Sequence, residues 1–123
     1  MTETSGHLIV QAYDNIVLVQ ITKDRLLDMP VINAIGSEMI GLLERYPKPS
    51  IIIDMAPVAY LSSAMVGKLI GFYKAVIQAK GRLAIAGVRA DIMPLFKVTQ
   101  IDRLIRFYPD AQQILLEFRR KPH

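Results

Sequence analysis

The spacing of hydrophobic positions in this chain changes period several times, and each change marks a boundary between predicted elements. Leu8 to Ala12 and Ile16 to Ile21 are short apolar runs separated by Tyr13-Asp14-Asn15, whose Asp and Asn suit a tight turn. They predict a β-hairpin. The second run is rich in branched side chains and nearly all apolar, the composition of a strand covered on both faces and central in its sheet. Beyond it, Asp28 can accept hydrogen bonds from free backbone donors and Pro30 fits a first helical turn. Val31, Ile35, Met39, Leu42 and Leu43 then recur at helical spacing up to Tyr46, giving a first amphipathic helix.

Pro47 and Pro49 force an extended connection, and Ile51-Ile52-Ile53 ending in Asp54 has the composition of a second buried strand. From Ser63 to Ala79 a stripe of Met65, Leu69, Phe72 and Val76 predicts another helix, with Gly81 as its stop. Leu83 to Ala86 reads as a further strand. Asp91 can cap a shorter helix through about Lys97, Ile105-Arg106-Phe107 is a short edge strand, and Asp110 starts a final helix through Phe118. The order β-β-α-β-α-β-α-(β)-α places the chain in the α/β class. It predicts a mixed sheet of four or five strands with helices packed against it, whose later strands are parallel because each return passes through a helix. One domain over 8–118 is expected, with 1–7 and 119–123 as flexible tails.

Composition narrows the chemistry. A length of 123 residues suits a single domain, and 52% hydrophobic against 21% charged residues is enough apolar side chain for a core. The absence of cysteine removes disulfides, thiolate metal sites and cysteine nucleophiles, and fits a reducing, cytoplasmic setting. The only histidines, His7 and His123, sit in terminal segments, which argues against zinc chemistry or a serine–histidine relay. Net charge is +4, yet the bases are scattered through the C-terminal half, at Arg82, Arg89, Lys97, Arg103 and Arg106. Their only run is Arg119-Arg120-Lys121, and tryptophan is absent. This argues against direct nucleic-acid binding. No apolar stretch reaches the roughly 18 to 20 residues of a membrane span, so no membrane insertion is expected. The first seven residues also lack the build of a signal peptide.

The informative segment runs from Asp54 to Lys74 as strand, loop, serine pair and helix. A serine there points its hydroxyl at free amides and the positive end of the helix dipole, so spacing alone assigns Ser63 a capping role at a solvent-facing rim. Asp54 ends a strand at the same edge and is expected to hydrogen-bond the loop from Ala56 to Leu61. The pattern Asp-x-x-x-Val-x-Tyr-Leu-Ser-Ser-Ala-x-x-Gly-Lys-Leu from Asp54 to Leu69 resembles STAS-domain anti-sigma factor antagonists. Gly81 and the Ile-Asp-Arg-Leu-Ile segment at 101–105 strengthen the likeness.

That resemblance implies a non-enzymatic switch that requires no cofactor or metal. In the family, a serine or threonine at the start of this helix is phosphorylated by an anti-sigma factor that is itself a serine kinase, and the matching residue is Ser63. The unphosphorylated form binds the kinase, the phosphorylated form does not, and a serine phosphatase is a further implied partner. Many members carry an aspartate before the modified serine and a glycine two residues after it. Here Ser62 and Met65 stand at those places, and Ser62 becomes a second candidate acceptor. Asp28 matches the family's acidic residue at the start of the first helix, and its other role is a helix cap.

Ala64, Gly67, Lys68 and Gly71 share one side of the serine-bearing helix and serve either close packing on its own sheet or a partner-binding face, with Lys68 a rim charge. Two alternatives keep the fold. One is a phosphorylation-independent docking module of a transporter or signalling assembly; the other is a nucleotide-binding sensor using the amides near Ser63.

Overall fold

The computed structural model describes residues 2–4 and 6–122; Met1, Ser5 and His123 lie outside the described residues. Strands β2 (Leu8–Tyr13) and β3 (Ile16–Ile21) form the expected hairpin, with Asp14 turning at φ 59°. β5 (Ser50–Asp54), β7 (Arg82–Ala86) and β8 (Arg106–Tyr108) then add to β3 in parallel, each reached through helical segments. These five strands are the mixed sheet the hydrophobic pattern predicts. A short strand β1 (Thr2–Thr4) pairs antiparallel with β2 at one edge and extends the order to β1-β2-β3-β5-β7-β8. Its Thr-Glu-Thr sequence has no apolar alternation to announce it, so only its backbone pairing makes it a strand.

The helices α1 (Met29–Arg45), α2 (Ser63–Gln78) and α3 (Met93–Val98) enclose the larger core on one face of the sheet. On the other face, α4 (Ala111–Arg120) packs Ile114 and Phe118 over Ile16, Ile52, Ala84 and Ala86. The three isoleucines of β5 therefore divide between two cores, Ile51 and Ile53 facing one and Ile52 the other, and all are fully buried. β3 is central as expected but is fully covered on one face only. Leu18 and Gln20 on the other face stay partly open because α4 reaches only the Ile16 end.

The third helix departs from its predicted start: Ile92, not Asp91, precedes it, and Asp91 is exposed. Within the segments expected as tails, Met1, Ser5 and His123 lie outside the described residues, and residues 2–4 pair with β2. His7 Nδ1 lies 3.1 Å from Glu38 Oε2, and α4 continues to Arg120.

The end of α2 is held by a double bond pattern: Lys80 N–H donates to Ile77 O at 3.0 Å and Gly81 N–H to Val76 O at 2.9 Å. The left-handed residue in this cap is Lys80, at φ 64°, and Gly81 is required for a different reason. A Cβ on Gly81 would stand 2.4 Å from Pro49 O and 2.9 Å from its Cδ, so the α2–β7 turn presses against the α1–β5 turn.

Next to it, Arg82 ties the sheet to the last helix. Its Nε donates to Ser50 Oγ at 2.8 Å, its Nη2 to Phe118 O at 3.0 Å and its Nη1 to Lys121 O, with the guanidinium 4.0 Å from the Phe118 ring centre. Partial burial lowers its pKa from the ordinary value, and nearby Glu117 acts in the opposite sense.

Gly81→Ala has no side-chain movement that relieves its clash with backbone. It should cost about 2 kcal/mol and lower the melting temperature by roughly 5–10 °C; thermal denaturation followed by circular dichroism reads this directly, and an unchanged midpoint would contradict the packing described.

Candidate functional site

At the carboxyl end of β5 the chain must leave a buried strand and reach the start of α2, and Asp54 organises the exit. Its Oδ1 accepts from Ala56 N–H at 3.0 Å and its Oδ2 from Gln20 Nε2 at 3.1 Å, so the expected bond from Asp54 to this loop is present. Gly87, at φ +75°, leaves room for that carboxylate: a Cβ there would lie 3.0 Å from Oδ1. Met55 N–H donates to Ala86 O at 2.9 Å and Arg89 Nε to Ala56 O at 3.2 Å, while Met55 and Val58 are buried.

The loop is then sewn to the segment before α1. Two-residue strands β4 (Arg25–Leu26) and β6 (Tyr60–Leu61) pair in parallel. Asp24 O accepts from both Ala59 and Tyr60 N–H at 2.8 and 3.0 Å, and Leu26 O accepts from Ser62 N–H at 3.0 Å. Leu26 is fully buried beneath this ladder. Because Leu26 is in register with Leu61, Asp28 and Ser63 each follow two residues beyond a paired position, which brings both to one rim. Neither short strand has a hydrophobic pattern long enough to read from sequence.

The serine pair is the place where the structure corrects the predicted chemistry. Ser62, not Ser63, occupies the cap position of α2, with φ −94° and ψ 160°, and its side chain makes no cap hydrogen bond. Its Oγ is shut off from solvent with no partner among the described residues. Ser63 is the first helical residue and is exposed. Asp28 likewise holds the cap position of α1 by backbone alone: its carbonyl accepts from Ile32 N–H at 3.0 Å, its carboxylate makes no cap bond, and the residue is exposed. The capping expected of Ser63 and Asp28 side chains is therefore absent, which leaves the Ser63 hydroxyl and the Asp28 carboxylate facing water.

Around them large apolar side chains are exposed among the charges of Asp24, Arg25 and Asp28. Leu27, Met29 and Tyr60 are 46%, 48% and 53% exposed, a group of large hydrophobic side chains at the entry to α1 and on β6. The Arg25 guanidinium sits 4.6 Å from the Tyr60 ring centre and holds that ring in place. Tyr60 entered the sequence reading only as part of the Asp54–Leu69 pattern, and Leu27, Met29 and Arg25 did not stand out. The one signal of Leu27 and Met29 was an apolar residue in a segment otherwise reading as loop or helix start.

Ala64, Gly67, Lys68 and Gly71 are all exposed, and a Cβ at Gly67 or Gly71 would meet nothing within 4 Å. Close packing of this side on its own sheet is thus ruled out; the Met65, Val66, Leu69, Phe72 and Val76 stripe does that work. Gly67 and Gly71 instead line a groove of about 600 Å³ between α1 and α2, with Gly36 and Gly41 opposite. The Lys68 stem crosses it, close enough that a Cβ on Gly36 would stand 3.1 Å from Lys68 Cδ.

This geometry has counterparts among known proteins. The profile of the STAS domain matches residues 7–114. The chain belongs to the STAS-domain family. An anti-sigma-factor antagonist (STAS) domain protein from Planctomyces limnophilus is 18% identical, with 89% of this chain and 96% of that one covered at a TM-score of 0.77. The Bacillus cell fate determinant SpoIIAA is similar in its unphosphorylated form (12% identity, 94% and 99% covered, TM-score 0.77) and in its phosphorylated form (13%, 87% and 96%, 0.65). A murine solute carrier family 26 anion transporter aligns with 90% of this chain at 9% identity and TM-score 0.74, the match covering 19% of the transporter. The fold is that of SpoIIAA, a mixed sheet with four helices. No helix among the described residues is long and apolar enough to cross a membrane.

In this STAS domain the two N-terminal helix caps can be compared directly. Asp110 Oδ1 accepts from Gln113 N–H at 3.0 Å at the start of α4, whereas Ser62 Oγ accepts nothing at the start of α2. Asp110→Ala should lose about 1 kcal/mol. Ser62→Ala should change stability by less than about 0.5 kcal/mol, or raise it, because an unsatisfied buried hydroxyl is removed. Chemical denaturation of both variants checks the contrast.

Proposed function

We propose that this STAS domain is a non-catalytic switch that docks on an anti-sigma factor serine kinase and is released when that kinase phosphorylates Ser63. The single observation that supports this reading is the asymmetry of the serine pair: the Ser63 residue is exposed on a rim that carries large apolar side chains while the Ser62 Oγ is sealed. In the transfer, Ser63 Oγ attacks the γ-phosphorus of ATP, its proton passes to a base of the kinase, and ADP leaves. A sealed oxygen has no in-line path to that phosphorus, so Ser62 is set aside as acceptor.

Binding and release follow from the same surface. Leu27, Met29 and Tyr60 supply apolar area for the kinase to cover, Asp28 and Lys68 supply charges at its edge, and Ala64 and Gly67 let a partner approach α2 closely. A phosphate brings about −1.5 to −2 charges. The amides of the first helical turn lack intrahelical partners and tolerate that charge, so the fold survives. A partner surface fitted against Leu27 and Tyr60 must instead desolvate it, and the complex separates. A serine phosphatase restores the binding form by hydrolysing the ester.

Incubation with the cognate kinase and ATP, followed by peptide mapping, should place one phosphate on Ser63 and none on Ser62. Ser63→Ala should take up none, and Ser63→Asp and Tyr60→Ala should each weaken kinase binding by about tenfold or more at unchanged melting temperature. Label on Ser62, or no label, would overturn the acceptor assignment. Undiminished binding by Ser63→Asp would favour the docking module that works without phosphorylation, the use suggested by the transporter likeness.

A further inference from the structure

The cations that are scattered along the sequence meet at one end of the folded molecule, opposite the serine rim. Lys48 lies in the α1–β5 turn, Lys80 in the α2–β7 turn, and Arg119, Arg120 and Lys121 at the end of α4; all five are exposed. Hydrogen bonds and side-chain contacts join these segments. Asn15 Nδ2 donates to Lys48 O at 3.2 Å, Gly81 abuts Pro49, Arg82 donates to Phe118 O and Lys121 O, and the Arg119 guanidinium lies 5.8 Å from the Tyr13 ring centre. Among the described residues the exposed acids on these turns and helix ends are Asp14 and Glu44, and Glu117 near the end of α4 is partly exposed and acts on Arg82.

Apolar groups are interleaved with these charges. Tyr13 is 37% exposed and Leu116 60% exposed, and Leu116, Arg119 and Arg120 share the outward face of α4 at spacings of three and four. Three helices, α1, α2 and α4, end here, so this end presents carbonyls rather than free amides and forms no backbone cradle for a single phosphate. Nor does any helix or strand pair project from these turns to enter a nucleic-acid groove. Long cationic side chains beside an exposed leucine and tyrosine instead match a surface of many spread anionic groups over an apolar layer.

We propose that the end formed by Lys48, Lys80 and Arg119 to Lys121 docks on an anionic lipid bilayer surface. Binding is peripheral, with Leu116 and Tyr13 reaching the headgroup boundary, and the Ser63 rim faces away from the lipid. It does not depend on phosphorylation of Ser63.

Flotation of the 123-residue chain with vesicles of phosphatidylcholine alone, or with about one-third phosphatidylglycerol, tests this. Binding is expected on the anionic vesicles only, falling steeply as salt rises from about 0.05 to 0.3 M. Each cation near such a surface contributes roughly fivefold to partitioning, so Arg119→Glu with Arg120→Glu should lower binding by more than about tenfold. Leu116→Ser should weaken vesicle binding while leaving retention on heparin unchanged. Both variants alter exposed positions, and equal melting temperatures confirm that they fold. No flotation with anionic vesicles at low salt, equal binding by the charge-reversed variant, or tighter binding to duplex DNA than to vesicles with Leu116→Ser without effect would each overturn the proposal.

Discussion

A strand with no water on either face must have every backbone N–H and C=O paired within the protein, and β5 is that strand here. Ser50 to Ile53 are all buried, and β5 has β3 on one side and β7 on the other, both parallel to it. Parallel neighbours on both sides require that the chain return through a crossover each time, which fixes α1 and α2 against the same sheet. The splitting of Ile51 and Ile53 from Ile52 between two cores then demands α4 on the opposite face, and Arg82 fastens that helix through Phe118 and Lys121.

The same constraint positions the rim. A strand buried from Ser50 to Ile53 and paired on both sides does not fray, so the partly exposed Asp54 leaves the sheet at a defined point, and its two carboxylate bonds turn the chain at once. Pairing of the short strands at Arg25–Leu26 and Tyr60–Leu61 carries that order outward to the two helix starts. The exposed apolar side chains of the rim are therefore held on a hydrogen-bonded frame rather than on a loose loop, which lowers the ordering entropy a partner must overcome on binding. An unsatisfied Ser62 hydroxyl inside an otherwise paired frame is a local cost of order 1 kcal/mol or more, and it leaves the outward-facing Ser63 as the hydroxyl within reach.

What was legible in the sequence follows from range. Ile51-Ile52-Ile53, the Met65, Leu69, Phe72 and Val76 stripe, and Asp110 as a cap declare themselves because burial on a period, or one side chain against one amide, is a local property. The pairing of Arg25–Leu26 with Tyr60–Leu61 is not local: two residues meet two others across more than thirty positions, and neither segment carries a pattern. The cap position shifted from Ser63 to Ser62 for a related reason. Adjacent serines have equal propensity, and only the bond from Ser62 N–H to Leu26 O, made across the molecule, decides which of them stays outside the helix. Small residues at helical spacing were ambiguous in the same way, since Gly67 and Gly71 fit a tight contact or an open groove equally well until α1 is placed beside them.

Parallel topology also sorts charge without any clustering in the sequence. Every turn that leads into β5 and β7 opens at one end of the sheet, and every turn that leads out of β5 toward α2, or out of β3 toward α1, opens at the other. Residues spaced tens of positions apart, such as Lys48, Lys80 and Arg119, thus become neighbours, while Asp28 and Ser63 are gathered at the far end. Cations near helix C-termini are favoured by the peptide dipoles in any case, and that stabilisation needs only the last turn of each helix. It accounts for Arg119 and Arg120 at the end of α4. It gives no reason for an exposed Leu116 one turn earlier on the same face, which adds an apolar group where the dipole asks only for charge.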